Sequence, residues 1–277
     1  MSAVSGFGVY LCARGFSKKY VAECLCYVRK FGGLLFNGGL SWLHTLPKNA
    51  RRHALAALSN YAKFLGCYAR FKEMLANSGL RWSNGNGAEF VFEKLYLGSE
   101  TVQEADAWLE QLREKAEPNV YFMVAYTALT GMRPVEALNS LRLISERGLD
   151  GYLNREKLVL EHFRFPETFF RGNKKAFISV VTESLVTRLE SWFGKNVPTI
   201  EKLQKLLERK YHVPSRLYLL RKAWATIMRS VVESEIVDLC QGRVAASIFV
   251  RSYYRPELDS AFQKIRQKVH ELEQKWM

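Results

Sequence analysis

Apolar residues recur at intervals of three and four along most of this chain, a spacing that predicts helices. In residues 17–36, SKKYVAECLCYVRKFGGLLF, Ser17 stands as an N-cap, and Tyr20, Val21, Cys24, Leu25, Val28 and Phe31 form one stripe. Gly32, Gly33, Gly38 and Gly39 then punctuate a turn into a short segment around Trp42. Residues 48–75, KNARRHALAALSNYAKFLGCYARFKEML, read as one long alanine-rich helix. Thr101 and Glu104 match a capping box opening a helix to about Lys115, with Glu100, Glu104, Asp106, Glu110 and Glu114 as an acidic exposed face. Pro118 suits the first turn of NVYFMVAYTALTG, whose apolar density predicts a core helix. Gly131 permits a tight turn, and Pro134 fits the first turn of the helix after it.

Beyond Leu143 the period changes. LVLEHF (158–163) and AFISVV (176–181) read as short strands, with the cationic RGNKK segment, Arg171 to Lys175, as the turn between the nearest strands. Helical spacing returns in ESLVTRLESWFGKN and TIEKLQKLLERKY, and again where Leu217, Leu220, Ala223, Trp224, Ile227 and Met228 form a core stripe. ESEIVDLCQG reads as a short helix ended by Gly242. A last charged helix from Pro256 to Lys275, with Leu258, Phe262, Ile265, Val269 and Leu272 on one side, suits packing on its own domain or on a neighbouring subunit. The expected fold class is mainly α with a small β-sheet (α+β).

A chain of 277 residues is long enough for two domains. The small polar run Ser83–Gly87 marks the expected linker, giving a helical domain over 1–88 and a second over 89–277. Charge separates the two. Residues 1–88 hold 12 basic and 2 acidic side chains, so +10 of the formal +14 falls in the first third. Such an excess points to a polyanion, with Lys18, Lys19, Arg29, Lys30, Lys48, Arg51, Arg52, Lys63 and Arg70, together with Arg171 of the hairpin, as candidate phosphate contacts. For any single one of these, a solvated surface charge is the competing explanation. The basic helices lack the single broad apolar face that a membrane surface role needs. Five cysteines with no CxxC pair suit a reducing compartment and no zinc site. No run of eighteen apolar residues occurs, and the opening segment lacks a basic n-region, so the expected location is the cytoplasm with no membrane partner.

The chemistry-bearing stretch is Arg216 to Tyr254. It places Arg221 on one helix, Arg243 at the opening of the next element, and the pair Tyr253-Tyr254 about ten residues later. A tyrosine attacking phosphorus needs cations beside it, because charge accumulates on the non-bridging oxygens and a guanidinium can hold two of them. Arg133 falls at a junction between two apolar helices, where burial demands an anion. Glu136, three residues on, supplies one, and an ordinary helix-surface pair is the alternative there.

Three motifs in order resemble the tyrosine recombinases, the phage-type integrases. TALTGMRPVEAL is similar to their TGxRxxE signature, LRKAWATIM to LRHxFAT, and QGRVAASIFVRSYY to the LGH segment leading to the tyrosine, with a basic hairpin between the first two. The resemblance spans roughly residues 100–256, is most like the divergent archaeal virus and plasmid integrases, and extends loosely to a core-binding domain that clamps DNA. It implies that Arg133 and Arg221 hold the scissile phosphate, that Glu136 supports them, and that Tyr253, or Tyr254 next to it, forms a 3′-phosphotyrosine. Lys174 or Lys175 would protonate the leaving 5′-oxygen, with Arg171 close to the usual lysine position. Tyr218 and Arg243 stand where the family carries histidines. The family chemistry needs no metal and no cofactor, because the phosphotyrosine conserves the bond energy. Double-stranded DNA in a host cell and a homotetramer assembled on it are the implied partners, with the last helix a candidate for exchange between protomers. Relaxation of the type IB topoisomerase kind and a catalytically weak DNA-binding protein are the alternatives.

Overall fold

The computed structural model describes residues 3–37, 39–80, 101–172, 174–243 and 255–277. The chain divides into two units, Met1–Leu97 and Gly98–Met277, each with its own hydrophobic core. The expected linker at 83–87 and the expected boundary after residue 88 lie outside the described residues.

The described part of the first unit is helical: α1 (Ala3–Ala13), α2 (Lys18–Phe31), α3 (Leu34–Asn37), a 3-10 turn (Ser41–Thr45), α4 (Lys48–Phe64) and α5 (Tyr68–Asn77). Ser17 caps α2 by accepting the Tyr20 N–H, and the stripe Val21, Cys24, Val28 and Phe31 is buried. Two findings depart from the periodicity. The run from 48 to 75 is two helices, because Gly66 takes a left-handed φ of 72° and turns the chain, with the Cys67 N–H returning to the Ala62 carbonyl. A side chain at that φ would be strained, which is why the turn falls on glycine. The second departure is α1, which has little amphipathic signal yet buries Phe7 and Leu11 fully, with Phe7 against Tyr61 and Phe64.

The second unit carries α6 (Thr101–Lys115), α7 (Pro118–Thr130), α8 (Pro134–Arg147), α9 (Pro166–Phe169), α10 (Glu183–Glu190), α11 (Ile200–Arg209), α12 (Leu217–Met228), α13 (Ser234–Cys240) and α14 (Leu258–Trp276). Both Pro118 and Pro134 occupy first turns, where the missing N–H costs nothing. From Val120 to Thr130 every residue of α7 is buried, and α12 packs across it and α6. Strands β1 (Leu153–Asn154), β2 (Val159–Leu160) and β5 (Ser179–Val180) form an antiparallel sheet in the order β1-β2-β5. β3 (Phe170–Arg171) and β4 (Lys174–Lys175) form a separate hairpin, pairing Phe170 with Lys175 and Arg171 with Lys174. The strand expected over 158–163 is therefore only two residues long. It gives way to a 3-10 turn at His162–Arg164 and to α9, where Pro166 cannot donate to a ladder.

Helix α14 packs on its own unit, against α6, α7 and β5. Trp276 is buried, donating its indole N–H to Asp106 at 2.7 Å, while the Tyr121 hydroxyl donates to the Trp276 carbonyl at 2.6 Å. Buried Glu273 accepts hydrogen bonds from the hydroxyls of Thr182 and Ser184. Asp106, expected on an open acidic face, is instead half-buried beneath this helix and also receives the Lys275 ammonium.

A buried polar chain lies under the sheet. The His162 imidazole meets the Tyr152 hydroxyl at Nδ1 (2.6 Å) and the Ser179 hydroxyl at Nε2 (2.8 Å), and Ser140 joins Tyr152 to Tyr126. Full burial lowers the His162 pKa to about 3. The unfolded value is about 6.5, so between these limits the unfolded chain takes up a proton that the folded chain refuses. This contribution to stability is complete above about pH 6.5 and is lost as pH falls toward about 3. Urea midpoints should therefore drop between pH 7 and pH 5.5, and His162→Gln should flatten that slope. An unchanged slope in the variant would assign the pH dependence to other groups.

Candidate functional site

The site is built where three separate segments meet in the second unit. The first is the turn after α7. Gly131 adopts φ 62° directly beneath Trp224 of α12, and a Cβ there would lie 2.3 Å from the indole. Its turn sets Arg133 as the residue preceding α8, with Glu136 one turn into that helix. Glu136 is fully buried. Its carboxylate accepts the Arg133 backbone N–H at 3.3 Å and the Arg133 guanidinium at 2.8 Å. Arg133 is 18% exposed and also donates to the Lys175 carbonyl at 3.1 Å. An open helix-surface pair is thereby excluded, because the carboxylate has no solvent face.

The second segment is α12, which carries Arg221 at 6% exposure. Its Nη1 donates to the Gly131 carbonyl (3.1 Å) and its Nη2 to the Gln241 carbonyl (2.6 Å). The Gln241 side-chain amide returns a bond to the Arg221 carbonyl at 2.9 Å. Burial first, and then the charges of Arg133 and Arg243, lower the Arg221 pKa to about 10, so the group stays charged at neutral pH. Tyr218 lies one turn before it, with its side chain 57% exposed.

The third segment is the turn after α13. Arg243 donates its backbone N–H to the Asp238 carbonyl, and its half-exposed guanidinium stands 3.9 Å from the Asp238 carboxylate. Gly242 has φ 65° and lies flat against the hairpin, where a Cβ would fall 1.7 Å from the Lys175 carbonyl oxygen. This contact sets the basic hairpin beside Arg243. Arg171 of β3 approaches Glu136 at 3.5 Å. Cross-strand pairing puts Lys174 on the same ribbon face as Arg171, whereas the Lys175 ammonium sits over the Phe170 ring.

Arg133, Arg171, Arg221, Arg243, Glu136 and the Lys175 backbone come together here, while Lys174 pairs across the ribbon with Arg171 and Tyr218 lies exposed one turn before Arg221. Among the described residues, Arg133, Arg171, Arg221 and Arg243 share two carboxylates, Glu136 and Asp238, an imbalance that a bound anion would relieve. Tyr253 and Tyr254 lie outside the described residues. Gln241 and Asp238 were missed by sequence reasoning. The signal that would have found Gln241 is a polar residue at the last turn of a short apolar helix, immediately before a glycine.

In the first unit, α2 and α4 run antiparallel: the Asn60 amide donates to the Tyr20 hydroxyl at 3.0 Å, and His53 pairs with Glu23 and stacks on Tyr27. This register gathers Arg29 and Lys30 at one end with Lys48, Arg51 and Arg52, and sets Lys18, Lys19 and Lys63 at the other. Arg51 is half-buried and the rest are exposed. Arg70 of α5 donates to the Phe36 carbonyl at 3.4 Å, and the Lys63 ammonium lies over Tyr68. No helix among the described residues is long and apolar enough to cross a membrane.

No family model matches the chain. Neither a characterised protein nor a solved structure is significantly similar to it. The site's chemistry accordingly rests on its own geometry.

That geometry depends on Gly242. Gly242→Ala should destabilise the second unit by more than the roughly 1–2 kcal/mol of a left-handed alanine alone, because the new methyl must displace the hairpin backbone. Gly194 has φ 76° with no atom within 4 Å of its Cβ position, so Gly194→Ala measures the backbone cost without the clash. Equal urea midpoints for the two variants would refute the contact.

Proposed function

We propose that this protein cuts and rejoins DNA strands as a site-specific recombinase of the tyrosine recombinase type. The observation that carries the reading is the meeting of Arg133, Arg221 and Arg243, brought from positions 88 and 22 residues apart to within electrostatic reach of one another. A phosphodiester in their midst would receive charge-assisted hydrogen bonds on its non-bridging oxygens, where charge grows as the phosphorus becomes five-coordinate. Arg221 suits this because its guanidinium is held by carbonyls rather than by a carboxylate.

In the proposed reaction the phenol of Tyr253 gives its proton to water, its oxygen attacks phosphorus, and the bond to the 5′-oxygen breaks. Lys174 gives that oxygen its proton, leaving a 3′-phosphotyrosine and a free 5′-hydroxyl. The reverse step, with the 5′-hydroxyl of another strand, rejoins the DNA. What supports Lys174 over Lys175 is the shared ribbon face with Arg171, which leans on Glu136. Two duplexes and a tetramer of protomers complete the proposal, in a DNA-associated cytoplasmic setting.

A second reading, a DNA-binding protein with weak or no cleavage, is favoured by one observation. Tyr218 and Arg243 occupy the two positions where the recombinase pattern carries histidines, and an arginine is a poor proton acceptor.

Incubation with a labelled target duplex, followed by denaturing electrophoresis, separates these readings. The wild-type chain should form a covalent protein–DNA adduct, and Tyr253→Phe should abolish it. Persistence in Tyr253→Phe with loss in Tyr254→Phe would move the nucleophile by one residue. Salt-sensitive binding without any adduct would establish the second reading. Arg221→Lys should slow adduct formation by about 100-fold, since an ammonium lacks the planar fork that serves both carbonyls and phosphate. A rate within twofold of wild type would remove Arg221 from the site.

A further inference from the structure

The first unit exposes two large aromatic side chains at the end of the α2–α4 pair where its cations gather. Phe36 is 59% exposed and Trp42 is 51% exposed. Neither sits on a loose segment. Phe36 follows buried Leu35, and Trp42 lies between buried Leu40 and buried Leu43. The Thr45 hydroxyl closes the 3-10 turn on the Trp42 carbonyl at 2.8 Å, and the His44 imidazole meets the Ser78 carbonyl at 2.9 Å. The backbone is fixed and the rings are presented outward.

Cations stand near both residues. Trp42 and the Lys30 ammonium each lie 5.4 Å from the Phe31 ring. Arg70 reaches the backbone of Phe36 itself, and Arg29 is exposed on the last turn of α2. The neighbouring side chains Asn37, Ser41, His44 and Thr45 are polar and exposed, which argues against insertion into a lipid surface.

We propose that Trp42 and Phe36 form a stacking site for unpaired bases of a DNA strand, with Lys30, Arg29 and Arg70 on the flanking phosphates. This rests on the DNA reading above. Fully paired DNA keeps its bases in the helical stack and offers an exposed indole little to grip, whereas an unpaired base presents a free π face beside a phosphate. The chemistry fits a strand that has left its duplex, as strands do when ends are exchanged.

The test is binding, measured by fluorescence anisotropy at fixed salt with three probes: a paired duplex, the same duplex with a three-nucleotide single-stranded gap, and that gap made abasic. Trp42→Ala should weaken the gapped probe about tenfold while leaving the paired duplex within twofold. Trp42→Phe should restore most of the loss. On the abasic gap, wild type and Trp42→Ala should bind alike, because the phosphates remain and the bases do not. Equal losses on all three probes, or none on the gapped probe, would overturn the proposal. Failure of the DNA reading itself looks different: wild type would then bind none of the probes. Urea midpoints of Trp42→Ala and Trp42→Phe, measured alongside, separate a binding loss from any loss of the Trp42–Phe31 contact.

Discussion

Burying the Arg221 guanidinium is the constraint on which the second unit turns. An uncompensated charge at that depth costs several kcal/mol, and among the described residues no carboxylate is bonded to it directly. Its partners are two backbone carbonyls, each at the end of a helix: Gly131 after α7 and Gln241 after α13. Carbonyls at helix C-termini are unspent acceptors carrying partial negative charge. Two such ends hold the cation in place without cancelling it. A salt bridge would have satisfied the arginine equally well and would have removed its attraction for a further anion.

The rest of the site follows from those two helix ends. The turn that aims the Gly131 carbonyl at Arg221 is the same turn that sets Arg133 two residues later, and it exists because Trp224 leaves no room for a Cβ. The turn that supplies the Gln241 carbonyl continues into Gly242 and Arg243, and its glycine seats the hairpin. Arg133 then ties back to that hairpin through the Lys175 carbonyl. Loss of one contact therefore propagates through a closed loop of backbone acceptors. Glu136 is the one fully buried carboxylate in the loop, and it answers Arg133 and Arg171 while leaving Arg221 to the carbonyls.

How much of this was legible depended on whether a residue's role was local. Ser17, Pro118 and Pro134 announced their helices because caps and first turns are decided within four residues. Arg133, Arg221 and Arg243 could be named from motif order, and the glycines beside two of them from turn chemistry. What the spacing hid was tertiary. The 48–75 run kept its helical period across Gly66, so periodicity alone gave no sign of the break. Asp106 fell on a plausible acidic face, and only the fold brings Trp276, 170 residues away, onto it. His162 sat in what read as a strand, and its partners Tyr152 and Ser179 come from either side of it in the chain. Gln241 acts through its carbonyl as much as its side chain, and a carbonyl has no sequence signature.

The two units also hold their cations in physically different ways, which bears on how the proposed activities divide. Arg29, Lys30, Lys48 and Arg52 are exposed, and charges of that kind are screened over roughly 8 Å at physiological ionic strength. Arg221 is buried and Arg133 is only 18% exposed, so salt screens them far less. On the proposed reading, added salt acts first on capture of the strand and only weakly on the phosphate once it is seated. Aromatic stacking at Trp42 belongs with neither set, since a π face does not depend on ionic strength. On that reading, base contact at Trp42 and phosphate contact at Arg221 would each persist under conditions that strip the surface cations of their pull.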